Sequence, residues 1–182
     1  MTDVKVENVV ASASIGEDID LHALVLALDG AEYEPEQFPG LLYRVKEPKT
    51  AVLIFRSGKI VCTGGKSVEQ VHQAVSKVTE KMEAAGFKVN RKPDITIQNI
   101  VATHDLKAQL NLNVIAISLG LEKVEYEPEQ FPGLVYRMED PKVVMLFFGS
   151  GKVVCTGARE VRDVERAIEN ITQELTKAGL LH

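Results

Sequence analysis

Carboxylates spaced two apart stand at equivalent places in a repeated segment of this chain, as Glu34 and Glu36 and again as Glu127 and Glu129. Paired carboxylates are tools of acid–base hydrolysis, in which one gives a proton while the other stays charged. That chemistry needs a pocket to drive the two pKa values apart. Here both pairs fall in the turn-forming stretch EYEPEQFPGL, present at 32–41 and at 125–134. An acidic, proline-framed turn is solvated, so these residues read as surface charge. His22, His72, His104 and His182 show no ligand spacing, and Cys62 and Cys155 cannot complete a zinc site or a disulfide framework by themselves. Ser57-Gly58-Lys59 lacks the glycines and helix of a phosphate loop and reads as a hairpin turn. Neither a cofactor nor a catalysed reaction is expected. What remains in each copy is a phenylalanine, Phe38 or Phe131, boxed in by prolines and a glycine with no core around it.

The duplication extends beyond the loop. Tyr33 recurs as Tyr126, and the same offset carries Arg44 to Arg137, Ser57-Gly58-Lys59 to Ser150-Gly151-Lys152 and Cys62-Thr63-Gly64 to Cys155-Thr156-Gly157. Upstream, Asn8-Val9-Val10-Ala11 pairs with Asn99-Ile100-Val101-Ala102 at an offset two residues shorter. An insertion before the second loop accounts for the difference. The chain is therefore two homologous halves, assigned to 1–91 and 92–182, that meet at the turn-rich NRKPD.

Each half has the same elements. Strand patterns at 4–12 and 95–103 are followed by helices with apolar positions Leu21, Leu24, Val25 and Leu28, or Leu112, Ile115, Ala116 and Leu119. Asp18 and Asp20 are capping candidates for the first of these. After the loop come β-rich runs at 41–45, 51–56 and 59–63, separated by Glu47-Pro48 and Ser57-Gly58. A long helix closes the half. It starts at Ser67 with Gln70 as a capping box, carries the stripe Val68, Val71, Val75, Val78 and Met82, and stops at Gly86. Its counterpart carries Val161, Val164, Ile168, Ile171 and Leu175 and stops at Gly179. Short turns between strands imply an antiparallel sheet and an α+β fold.

Alternation sorts each strand into two faces. Val52, Ile54, Ile60, Cys62, Val9 and Ala11 share one, while Leu53, Phe55, Val61, Thr63, Asn8 and Val10 share the other. Both are largely apolar, yet the helices of a half cover only one. The second face, with Val101, Leu146, Phe148 and Val154 as its mates, is then an exposed apolar patch of the kind that marks a binding surface. Alternatively, the halves pack these faces together as a sandwich core. That leaves Asn8 and Asn99 buried and in need of partners, with Phe38 and Phe131 still in solvent.

The 182 residues hold one sizeable core or two small ones, and no apolar run approaches a bilayer span. MTDVKVENVV lacks the features of a signal peptide, so the cytoplasm or nucleoid is the expected location. A net charge of −5 weighs mildly against nucleic acid. Locally the balance reverses. Between Tyr43 and Lys66, Arg44, Lys46, Lys49, Arg56, Lys59 and Lys66 face one acid, Glu47. In the second half Arg137, Lys142, Lys152 and Arg159 face Glu139 and Asp140.

The paired EPEQFPGL-YR segments, LIFRSGKIVCTG with LFFGSGKVVCTG, and the two N-[VI]-V-A strands stand in register over essentially the whole chain. In these segments the sequence resembles the TATA-box-binding proteins in their compact two-repeat archaeal form. The resemblance implies a pseudo-twofold saddle of two β-α-β-β-β-β-α repeats. In it one curved antiparallel sheet has helices on its convex face and a bare apolar concave face on the minor groove. It implies a general transcription factor that binds TATA-box promoter DNA, bends it (by about 80° in the family) and meets transcription factor B and RNA polymerase. Phe38 with Phe55, and Phe131 with Phe148, correspond to the intercalating pairs at the two ends of the site. Asn8 and Asn99 correspond to central hydrogen-bonding asparagines, with Gln98 beside them and Thr63 and Thr156 as nearby hydroxyls. Val10, Val61, Val101, Val154, Leu53 and Leu146 correspond to the apolar floor. Arg44, Arg137, Ser57, Ser150, Lys59 and Lys152 match positions on phosphates or sugars, and Glu127 and Glu129 match the loop that meets transcription factor B. Glu7 departs from the glutamine found at Gln98, which implies unequal ends. Rival uses of the bare face are self-association, including a homodimer off DNA, or a small molecule gripped between sheet and helix.

Overall fold

A computed structural model describes residues 3–181. The order is β1 (Lys5–Ser14), α1 (Leu21–Ala27), β2 (Leu41–Val45), β3 (Thr50–Ile54), β4 (Lys59–Gly65) and α2 (Val68–Ala84). There follow β5 (Thr96–Asp105), α3 (Leu112–Leu119), β6 (Val124–Glu125), β7 (Leu134–Glu139), β8 (Lys142–Phe147), β9 (Lys152–Ala158) and α4 (Val161–Lys177). The second half thus runs β-α-β-β-β-β-α, whereas in the first the strand before β2 shrinks to a single bridge, Glu32 to Leu42. The fold is α+β with antiparallel pairing, as alternation and short turns predict.

The chain divides into two compact units, Asn8–Gln98 and Asn99–His182 together with Met1–Glu7. In the first unit the strand order is β2-β3-β4-β1; in the second it is β5-β9-β8-β7-β6. Within each, the strand residues assigned to the helix side form the core. Val9, Ala11, Val52, Ile54, Ile60 and Cys62 are buried with Val71, Val75, Val78 and Met82 of α2. Ile100, Ala102, Met145, Phe147, Val153 and Cys155 are buried with Val164, Ile168, Ile171 and Leu175 of α4. Val161, the first residue of α4, departs from its stripe at 37% exposed.

The caps follow side-chain chemistry. Ser67 Oγ accepts the Gln70 N–H at 3.1 Å, and Gln70 Oε1 accepts the Lys66 N–H at 2.9 Å. Asp20, not Asp18, caps α1, since its Oδ1 accepts the Ala23 N–H; Asp18 instead takes a left-handed φ of 46° in the preceding turn. Asn111 does the same for α3 through Val114. The long helices end before Gly86 (φ 95°) and Gly179 (φ 75°), where a residue without Cβ reverses the chain.

Candidate nucleic-acid interface

The phenylalanine loops are built alike. Glu34 O accepts the N–H groups of Gln37 and Phe38, both at 2.9 Å, and Glu127 O accepts those of Gln130 and Phe131 at 2.9 and 3.0 Å. These one-turn bends hold the rings away from the core, so Phe38 is 43% and Phe131 42% exposed. Each meets a second ring just past the end of a strand. Phe38 and Phe55 stand edge to face at 5.8 Å and 64°, Phe131 and Phe148 at 5.9 Å and 72°. Behind each pair lies a glycine. A Cβ on Gly40 would sit 2.7 Å from Phe38 and 2.9 Å from Phe55, and one on Gly133 would sit 2.6 Å from Phe131. The rings rest on bare backbone.

Between the ring pair and β1, the first unit's face away from its helices carries Val10, Leu53 and Val61, all partly exposed. Val101, Leu146 and Val154 are their equivalents in the second unit and are also partly exposed. None of the six belongs to the buried core. Water touches an apolar surface on each unit.

Polar groups in that surface are tied to a bulge. Opposite β1, β4 carries one extra residue between the pairs Val9–Gly65 and Ala11–Cys62, and β9 does so opposite β5 between Ile100–Ala158 and Ala102–Cys155. Gly64 (φ 93°) and Gly157 (φ 98°) take up the left-handed turn this requires. The freed Gly64 N–H donates to Asn8 Oδ1 and the Gly157 N–H to Asn99 Oδ1, each at 2.6 Å. Asn8 Nδ2 donates to Thr63 Oγ1 at 3.3 Å, and Asn99 Nδ2 to Thr156 Oγ1 at 3.0 Å. The structure therefore joins each asparagine to its threonine.

Arg44, Lys59, Arg137 and Lys152 are exposed, as are Ser57 and Ser150. The serines accept the N–H two residues on in their hairpins, at 3.3 and 3.5 Å. Arg137 pairs with Glu125 at 3.6 Å, a solvent-facing contact of small worth. Gln98 lies out of step with Asn99 and Val101 on β5, and its Nε2 donates to Ser12 Oγ at 2.8 Å. Glu7 pairs with Lys5 at 3.4 Å. Glu34, Glu36, Glu127 and Glu129 are all exposed. Cys62 and Cys155 are buried on the helix side, where desolvation pushes each thiol up to about 11. They are small core residues. Among the described residues no His, Cys, Asp and Glu cluster suits a metal, and no helix is long and apolar enough to cross a membrane. Sequence reasoning saw the glycines recur but assigned no contact to Gly40, Gly133, Gly64 or Gly157, and it did not single out Ser12.

Comparison with known proteins adds an independent line. The family model described as transcription factor TFIID (or TATA-binding protein, TBP) matches residues 3–85 and 94–178. The TATA-box-binding protein of Thermoplasma volcanium is 60% identical over 178 residues, covering 98% of this chain and 97% of that one. TATA-box-binding protein E of Halobacterium salinarum is 57% identical over 185 residues, covering the whole of both. Among solved structures, Methanococcus jannaschii TBP matches with a TM-score of 0.89 and 52% identity, over 96% of this chain and 99% of that one.

Proposed function

This chain belongs to the TATA-binding protein family, and from that premise we propose that it binds the minor groove of TATA-containing promoter DNA, bends it and nucleates transcription initiation. The family is one of DNA-binding transcription factors rather than enzymes. The observation that carries the proposal is the duplicated pair of rings, one exposed and one partly exposed, each pair beside a partly exposed apolar face with an amide and a hydroxyl in it.

Phe38 with Phe55 and Phe131 with Phe148 insert between base steps, and prolines and glycine limit the entropy lost as the loops order. The floor of Val10, Leu53 and Val61, with Val101, Leu146 and Val154, lies against sugars and base edges. A·T pairs show only the N3 and O2 acceptors in the minor groove, whereas G·C adds an amino donor. An apolar floor holding a few donors accepts the first and leaves the second unpaired. TA steps also deform at low cost. Arg44, Arg137, Lys59, Lys152, Ser57 and Ser150 hold phosphates or sugars, and Gln98 contributes beside Asn99. Glu127 and Glu129 meet basic residues of transcription factor B, which brings RNA polymerase. Both repeats, 1–91 and 92–182, are needed for function, and off DNA the apolar faces favour a homodimer.

A gel-shift titration tests this reading. A short TATA duplex should bind at least about tenfold tighter than a G·C-substituted control, a gap of 1.4 kcal/mol. Equal affinity for both would end the proposed selectivity and leave self-association as the use of the apolar face.

A further inference from the structure

The lysines of the two hairpins differ in what stands opposite them. Alternation along β1 and β4 puts Val10, Ser12 and Ser14 on the same face as Lys59, Val61 and Thr63. In the second unit Val101, Thr103 and Asp105 share the equivalent face with Lys152, Val154 and Thr156. Ser14 is the register partner of Lys59, whereas Asp105 is the register partner of Lys152. All four are exposed. Residues directly opposed in an antiparallel pair hold their Cβ atoms about 4.5–5.5 Å apart, close enough for their charges to interact. One lysine therefore has a hydroxyl beside it and the other a carboxylate. That carboxylate is fixed in place, because Asp105 Oδ1 accepts the Lys107 N–H at 2.8 Å in a turn where Lys107 takes a left-handed φ of 57°. Among the described residues it joins no ion pair. The first unit's acids nearest its hairpin, Asp18 and Asp20, lie outside the strands and line a hollow at the start of α1 with Arg56.

We propose that Asp105 is a positioning residue that competes with DNA phosphate for the Lys152 ammonium and so weakens the second unit's grip. A lysine ammonium is a compact point charge on a flexible stem, free to turn towards either anion. Lys59, opposite Ser14, meets no such competitor across the strands. The two hairpins then hold the duplex unequally, through a pair of residues that touch no base. The inference rests on the phosphate-holding role given above to both lysines.

Asp105→Asn isolates the charge, since an asparagine Oδ1 still accepts the Lys107 N–H. Gel shifts with the full chain and a short TATA duplex should show binding tightened about two- to fivefold, the range that cross-strand charge pairs cover. The gain should shrink as salt rises, because exposed charges are screened. In a Lys152→Ala background it should fall to below about half, the coupling that a merely structural role would not produce. Ser14→Asp places the same acid opposite Lys59 and should loosen binding by a similar factor, and by less once Lys59→Ala is added. An unchanged affinity in Asp105→Asn, or a gain that survives whole in Lys152→Ala, would overturn the proposal. Should Asp105→Asn not fold, the Ser14→Asp cycle decides in its place, and an unchanged affinity there would overturn it too. Failure of both to fold would equally count against it, because both positions are exposed and no core depends on them. A wild type that binds the TATA duplex no tighter than a G·C-substituted control sinks the functional reading itself. A chain that keeps that preference but shows no coupling sinks this inference alone.

Discussion

Phe131 and Gly133 work as one device at the residue scale. The ring lies over a backbone position where a Cβ would come within 2.6 Å of it, so Gly133→Ala must displace the ring. The displaced atoms belong to the end of a side chain that is 42% exposed, and Gly133 carries no left-handed φ. Folded stability should therefore change by less than about 0.5 kcal/mol. The wedge, however, would meet the duplex out of place, and the TATA complex should dissociate about tenfold faster. Chemical denaturation beside stopped-flow dissociation checks both halves of this prediction. A large loss of stability would make the ring part of the core. The exposure of Phe38 and Phe131 was legible in the sequence because no core surrounds apolar rings among prolines and glutamates, and the equivalence of the asparagines because they recur. The reason for Gly133, and the partner of each asparagine oxygen, were not. Both depend on contacts between residues whose approach only the fold sets.

The two long helices show the same logic at the element scale. α2 begins under a reciprocal cap, but Glu160 at the start of α4 makes no side-chain cap bond, although its extended backbone (φ −133°, ψ 144°) suits one. Its carboxylate pairs with Arg162 at 3.0 Å, an exposed contact that contributes little. Glu160→Ser should therefore stabilise the protein by about 0.5–1 kcal/mol, read as a rise in denaturation midpoint with unchanged slope. A lower midpoint would show that the ion pair outweighs the cap. Helix stripes and strand faces were legible because apolar periodicity reports burial directly. Ends were less so. β1 runs to Ser14 and β3 starts at Thr50, since a strand's last pairs depend on its neighbour rather than on its own residues. Val68 and Val161 open their helices and lie only at the rim of the buried stripe. Residue pattern alone did not show the short strand β6, which only the resemblance implied, because two residues paired to β7 leave no alternation to read.

For the whole molecule, net charge is a poor guide. The chain carries −5 overall, yet Arg44, Lys59, Arg137 and Lys152 all reach solvent on the strands and hairpins of the proposed interface. The acids gather instead in the EPEQ loops and on the helices. Such a surface binds DNA weakly without regard to sequence and depends on shape and groove chemistry for the rest. The internal duplication made the architecture legible, because each half confirms the reading of the other. The most direct measurement is the end-to-end distance of a short TATA duplex labelled with a donor and an acceptor dye. Binding of the wild-type chain should bring the ends together, and Phe131→Ala should restore much of their separation while its own unfolding midpoint stays put. A duplex that stays straight when bound, or one that Phe131→Ala bends as fully as the wild type does, would contradict the account.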